Sequence, residues 1–142
     1  MLHAVRVGDR GSDIDHAVIG PAGVFTVNAK HHPQATVWVA GDTCMVDGYR
    51  VPHVRNSRHE ARRASKLLTE QAGAVPVVGI VAVVGAHRGF EVREQPGDGS
   101  VIVLTTKRIR EHLAEHETTL TTKEIAAIYE VARRSSTWCR RP

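Results

Sequence analysis

Aromatic side chains make up only 4% of the chain. Stacking of successive bases on rings, as a single-strand-binding protein would use, is therefore excluded as its main mode of nucleic-acid contact. Cysteine is equally scarce. Cys44 and Cys139 stand apart with no metal-ligand spacing and read as free thiols of a reducing cytosol. No apolar run is long enough to cross a bilayer. The longest, residues 75–86, is of buried-strand length, and Met1 to Arg6 has no signal-peptide core. A cytoplasmic protein without membrane contact is the expectation. There is no internal repeat or low-complexity segment.

What remains is an aliphatic-rich chain of 142 residues, sufficient for a core without disulfide or metal staples. Its formal charge of +4 is carried by fifteen Arg and four Lys. That excess suits a polyanionic partner. It also follows from a GC-rich genome.

The most informative stretch is Asp13-Ile14-Asp15-His16, then Gly20-Pro21-Ala22-Gly23, then Asn28-Ala29-Lys30. Two β-branched runs, Ile14 to Ile19 and Val24 to Val27, flank a turn in which Pro21 presets φ, predicting a β-hairpin. Without a bulge, Ile19 pairs with Val24, Ala17 with Thr26, Asp15 with Asn28 and Asp13 with Lys30. Asp13, Asp15, Asn28 and Lys30 then share one face. Ile14, Val18, Phe25 and Val27 take the other, together with His16, which reads as a hydrogen-bonded core histidine.

The run GSDIDHAVIGPAGVFTVNAKHHP resembles the nuclease-related domain (NERD) family, whose pattern is Asp-Ile-Asp-His, a Gly-Pro-x-Gly turn and a strand ending in Glu-x-Lys. Val54 to Glu60 and Val75 to Val84 add to the likeness, which covers roughly residues 3 to 115. The resemblance implies a PD-(D/E)xK restriction-endonuclease-like fold, in which Asp15 takes the metal-ligand position, Asn28 the Glu position and Lys30 the position beside the attacking water. Asn28 departs from the pattern. The helix carrying a Glu that usually opens such domains is also missing, so the domain reads as N-terminally shortened. Residues 1–115 are then the nuclease-related domain and 116–142 a helical extension packed on it, of a kind associated with actinobacterial members. An uncovered sheet face would invite that extension or a second copy, so a homodimer is an expectation.

The chemistry fits the resemblance. Mg²⁺ is hard, prefers oxygen, and usually takes one or two protein carboxylates beside water and substrate phosphate. A nearby lysine orients water or stabilises charge building on phosphate. Asn28 keeps an oxygen but loses a negative charge, which Asp13 is placed to replace. Glu60 is a second candidate for that role. Against it, Ser57-Arg58-His59-Glu60 has the form of a capping box at a helix start.

Arg55, Arg58, Arg62 and Arg63, with His31, are the candidate nucleic-acid contacts, and a solvated helix face explains the arginines nearly as well. Zinc is disfavoured at His31, His32, His53 and His59, because adjacent histidines on a strand point to opposite faces. His59 reads as a surface residue. Trp38 and Trp138 are open to base stacking or to packing.

The element order predicts a strand over Leu2 to Val7, the hairpin, and a meander of Thr36 to Ala40 with Cys44 to Val46. A helix over residues 58–72 and a buried strand over Val77 to Val84 follow. Phe90 to Arg93 then pairs with Val101 to Leu104 around Pro96-Gly97-Asp98-Gly99, a helix covers residues 106–115, and another opens on the Thr121–Glu124 capping box. This is an α/β sandwich around one mixed sheet flanked by helices. Three functions are compatible: an Mg²⁺-dependent nuclease acting on DNA, a catalytically inactive nuclease-like module that binds nucleic acid or protein, and a structural module stabilised by its polar cluster.

Overall fold

The structure, a computed structural model, describes residues 3–6 and 16–138. A five-stranded mixed sheet has the order β1 (His3–Arg6), β2 (His16–Gly20), β3 (Gly23–His32), β7 (Val77–Gly85), β9 (Val101–Thr105). The first three strands run antiparallel and the last three parallel. A second, four-stranded sheet has the order β6 (Tyr49–Val51), β5 (Thr43–Val46), β4 (Thr36–Ala40), β8 (Gly89–Glu94). This mixed α/β arrangement is consistent with a restriction-endonuclease-like fold, built on two sheets rather than the single one expected.

The hairpin forms as its turn chemistry predicts, with Ile19 opposite Val24, Ala17 opposite Thr26, and Pro21-Ala22 as the two turn residues. Expected pairs involving Asp13 and Asp15 lie outside the described residues. Alternation on β3 and β7 then divides the core. Phe25, Ile80 and Ala82 face α2 (Thr106–Glu115) through Leu113 and Ile109. Ala17, Ile19 and Val24 face α1 (His53–Ala72) and α3 (Thr122–Ala132) through Ala64, Leu68, Ile125 and Ile128. Val81 and Val83, on that same face, meet Val54 together with Val37, Val39 and Cys44 of the second sheet. Burial raises the Cys44 thiol pKa and leaves it a core residue. The short helix α4 (Ser135–Trp138) closes the core of Ala17, Ile19 and Val24.

Three expectations need correction. Phe90 to Arg93 does not pair with Val101 to Leu104, because β8 joins β4 in parallel and β9 joins β7 in parallel. Val101 and Val103 are fully buried and reach a better partner in central β7 than in an exposed hairpin. The helix begins at His53, directly after Pro52, so Ser57 and Glu60 lie inside it and form no capping box. Its apolar face begins at Val54, and packing of that turn overrides the capping signal. His16 is exposed, not a core histidine. The Thr121–Glu124 box does form, with both reciprocal hydrogen bonds present.

Close approach of α1 to the sheet is set at Gly79, where a Cβ would sit 2.9 Å from the carbonyl oxygen of Ser57 and collide with its hydroxyl. Gly79→Ala should therefore cost about 1–3 kcal/mol through overpacking. Urea denaturation measures it, and an unchanged midpoint would mean that α1 can lift freely.

Candidate functional site

Because Thr26 pairs with Gly79 and Asn28 with Val81, the even-numbered residues of β3 share the face beneath α1. Four polar side chains occupy this interface. Thr26 and Asn28 come from the strand, Ser57 and Glu60 from the helix, at relative exposures of 2%, 4%, 2% and 8%. Ser57 and Glu60 are three residues apart, on the buried face of the helix. Thr26 Oγ1 and Ser57 Oγ have no hydrogen-bond partner among the described residues, which is costly for buried hydroxyls.

Lys30 continues the same face, opposite Val83, and is half-buried. Beyond it His32 meets His53, the first residue of α1, with Nε2 to Nε2 at 3.0 Å. Burial, then the positive charge of Lys30, then that of His32, lower the His53 pKa from 6.5 to about 4. The sign of the linkage follows. Above pH 6.5 His53 is neutral folded or unfolded, so it contributes no pH dependence; between 6.5 and about 4 only the unfolded chain takes up the proton. Stability should fall through that window and level below it. His53→Gln should flatten this part of the stability profile, measured by denaturation at stepped pH, and an identical slope in the variant would refute the assignment.

Asp13 and Asp15 lie outside the described residues, as do Cys139 and the Arg140-Arg141 tail. Among the other expected site residues, Asn28, Lys30 and Glu60 are brought to the β3–α1 interface side. His31, Arg55 and Arg62 are exposed. Arg58 is committed elsewhere: its guanidinium donates to both carboxylate oxygens of Asp42 at 2.8 and 3.0 Å and to Ser100 Oγ at 2.9 Å, with Asp98 at 3.5 Å. The bidentate bond also holds the Asp42 carboxyl below its ordinary pKa. Arg58 thereby ties α1 to the β4–β5 turn and to the loop before β9. Arg63 is half-buried and donates to the Trp138 carbonyl at 3.2 Å. Trp138 itself is core, its indole N–H bonded to the Ala132 carbonyl at 2.7 Å, so it is not available to stack on bases. Sequence reasoning missed the His32–His53 pair, whose members are 21 residues apart and meet only through the fold.

Oxygen atoms of the kind this layer carries are the ligand type that a hard divalent cation takes. The family model for the nuclease-related domain matches residues 1–84, more than half of the chain. The chain belongs to this family. The matched segment runs from β1 through nearly all of β7 and contains the hairpin, the second sheet up to β6, and α1. Comparison with curated proteins and with solved structures returned no match. No described helix of this NERD protein is long and apolar enough to cross a membrane.

Proposed function

We propose that this NERD protein is an Mg²⁺-dependent nuclease acting on DNA, with Glu60 supplying the carboxylate that Asn28 no longer provides. The observation that carries the reading is the placement of Glu60. It sits inside α1, on the buried face, in the same polar layer as Asn28, where no capping role competes for it. The donor set fits the cation. Asn28 and Glu60 offer oxygen ligands, Thr26 and Ser57 hold hydroxyls with no hydrogen-bond partner among the described residues, and Asp15, with Asp13 two positions before it in the sequence, takes the carboxylate position of the family pattern.

When bound, Mg²⁺ supplies Lewis-acid stabilisation of the negative charge that builds on the phosphoryl oxygens. The chain's own part is electrostatic and positional. Lys30 presents a fixed positive charge at the end of the layer, where it offsets charge on phosphate in the transition state. The α1 interface buries Asn28 and Glu60, and burial strengthens the charge interactions there. Exposed His31, Arg55 and Arg62 offer phosphate contacts along the surface.

Cleavage of labelled single- and double-stranded DNA in Mg²⁺ or Mn²⁺ tests the reading, with Asp15→Ala, Lys30→Ala and Glu60→Gln run alongside. Metal-dependent cleavage that disappears in these variants supports it. Folded protein that cleaves in neither metal, yet binds DNA with a salt-dependent affinity, would make the domain a catalytically inactive binding module instead.

A further inference from the structure

Two histidine pairs lie in the described part of the chain, and ring geometry separates their roles. In the first, the centroids of His32 and His53 are 5.3 Å apart and the planes 26° apart, while the Nε2 atoms are 3.0 Å apart. The centroid separation is the nitrogen separation plus one ring radius on either side, so both Nε2 atoms lie on the line joining the rings. That is a linear N–H to N hydrogen bond. An N–H and a lone pair directed at each other along one line cannot converge on a metal beside them.

The second pair is His112 and His116, four residues apart at the C-terminal end of α2. Four residues is the spacing that stacks side chains on one helix face. The helix ends here, yet the His116 backbone N–H still donates to the His112 carbonyl at 3.1 Å, so the helical relation between the two residues is kept. Their rings are 5.7 Å apart and inclined at 61°, and no hydrogen bond joins them. The His112 Nε2 is buried without a partner among the described residues. The Phe25 ring meets His116 edge-on at 6.3 Å and 81°, bracing it from the sheet. The His116 Nδ1 lies 3.3 Å from the Glu117 carbonyl, which leaves its Nε2 as the nitrogen for a ligand.

We infer that His112 and His116 form a two-imidazole site for a divalent transition metal of the zinc, nickel or cobalt class. Imidazole nitrogen selects these borderline cations over Mg²⁺. The C-terminal end of a helix carries partial negative charge, and Glu115 adds a carboxylate on the same turn. Among the described residues no group of three His, Cys, Asp or Glu side chains is arranged to hold a metal, so the two imidazoles are the ligands these residues supply, and water or an exogenous ligand would complete the coordination. The site is distinct from the Asn28 layer. Phe25 faces α2 and Asn28 faces α1, so the body of the sheet lies between them. It therefore stands or falls independently of the nuclease reading.

Isothermal titration calorimetry of the full, untagged chain with ZnCl₂ and NiCl₂ near neutral pH tests the inference, with MgCl₂ as the comparison. One saturable site for Zn²⁺ is expected. His116→Gln, a change at an exposed position, should weaken it by at least about tenfold, because even second-sphere losses at metal sites cost that much. His112→Gln should do the same, and His32→Gln should leave Zn²⁺ affinity unchanged. Zn²⁺ should also raise the melting temperature of the wild type and of His32→Gln but not of His116→Gln. Absence of saturable Zn²⁺ binding, or binding unaffected by His116→Gln, would overturn the site. Should His112→Gln fail to fold, the His116→Gln result alone decides.

Discussion

Lys30→Ala is expected to lower metal-dependent DNA cleavage by about two to three orders of magnitude, the usual loss when one preorganised charge partner of a transition state is removed. The size follows from position. Lys30 is half-buried at the end of a buried polar layer, where a positive charge acts through a lower dielectric than at the surface. The loss should fall on the turnover number and not on DNA affinity, which the proposed function assigns to exposed residues such as Arg55 and Arg62. A second readout separates a folding defect from the loss of the charge. The positive charge of Lys30 is one of three causes that lower the His53 pKa, so in Lys30→Ala that value should rise, as followed by NMR titration of the imidazole. Glu60→Gln keeps shape while deleting charge, so its activity should return in part at higher Mg²⁺ concentration. A variant of Lys30 as active as wild type would remove the lysine from the chemistry.

Much of this arrangement was legible in the residues, and the misreadings have specific causes. The hairpin register was readable because Gly20, Pro21 and Gly23 permit a two-residue turn, and a single register buries Ala17, Ile19 and Val24 together. The Thr121 box was readable because nothing upstream of it packs as helix. The Ser57 box imitated the same signal. It failed because Val54 has a place in the core between the two sheets, and burying it draws one more turn of helix ahead of Ser57. That displacement turns Glu60 from a cap into a buried carboxylate. Strands β8 and β9 were misjoined because Pro96-Gly97-Asp98-Gly99 carries strong turn chemistry, while the choice of partner strand lies in contacts remote in sequence. Arg58 looked like a free cation for the same reason. Nothing near it in the sequence announces Asp42, Asp98 or Ser100 as its partners.

Leu68→Ala should be among the most destabilising single substitutions in the chain, at about 3–4 kcal/mol, because truncating a fully buried leucine loses both transfer energy and packing. Leu68 lies in the core where α1, the β2–β3 hairpin and α3 converge, among Ile19, Val24, Ile125 and Ile128. These contacts come from three separate elements, so the site has little freedom to collapse around a cavity, which places the cost in the upper part of the range. At this chain length the melting temperature should drop by roughly 10 °C. Lys66→Ala, exposed on the same helix, should stay within about 0.5 kcal/mol. The comparison also bears on the candidate site. The end of α1 around Leu68 is clamped by the core of Ile19, Val24 and Ile125, and the end around Val54 by the core between the two sheets, so Ser57 and Glu60 are held between two packed anchors. Loosening one anchor should lower stability while leaving the polar layer in place below the melting transition. Leu68→Ala should therefore keep wild-type cleavage at low temperature and lose it only on heating. Loss of cleavage at temperatures where the variant is fully folded would show instead that the register of α1 over β3 depends on the Leu68 contact.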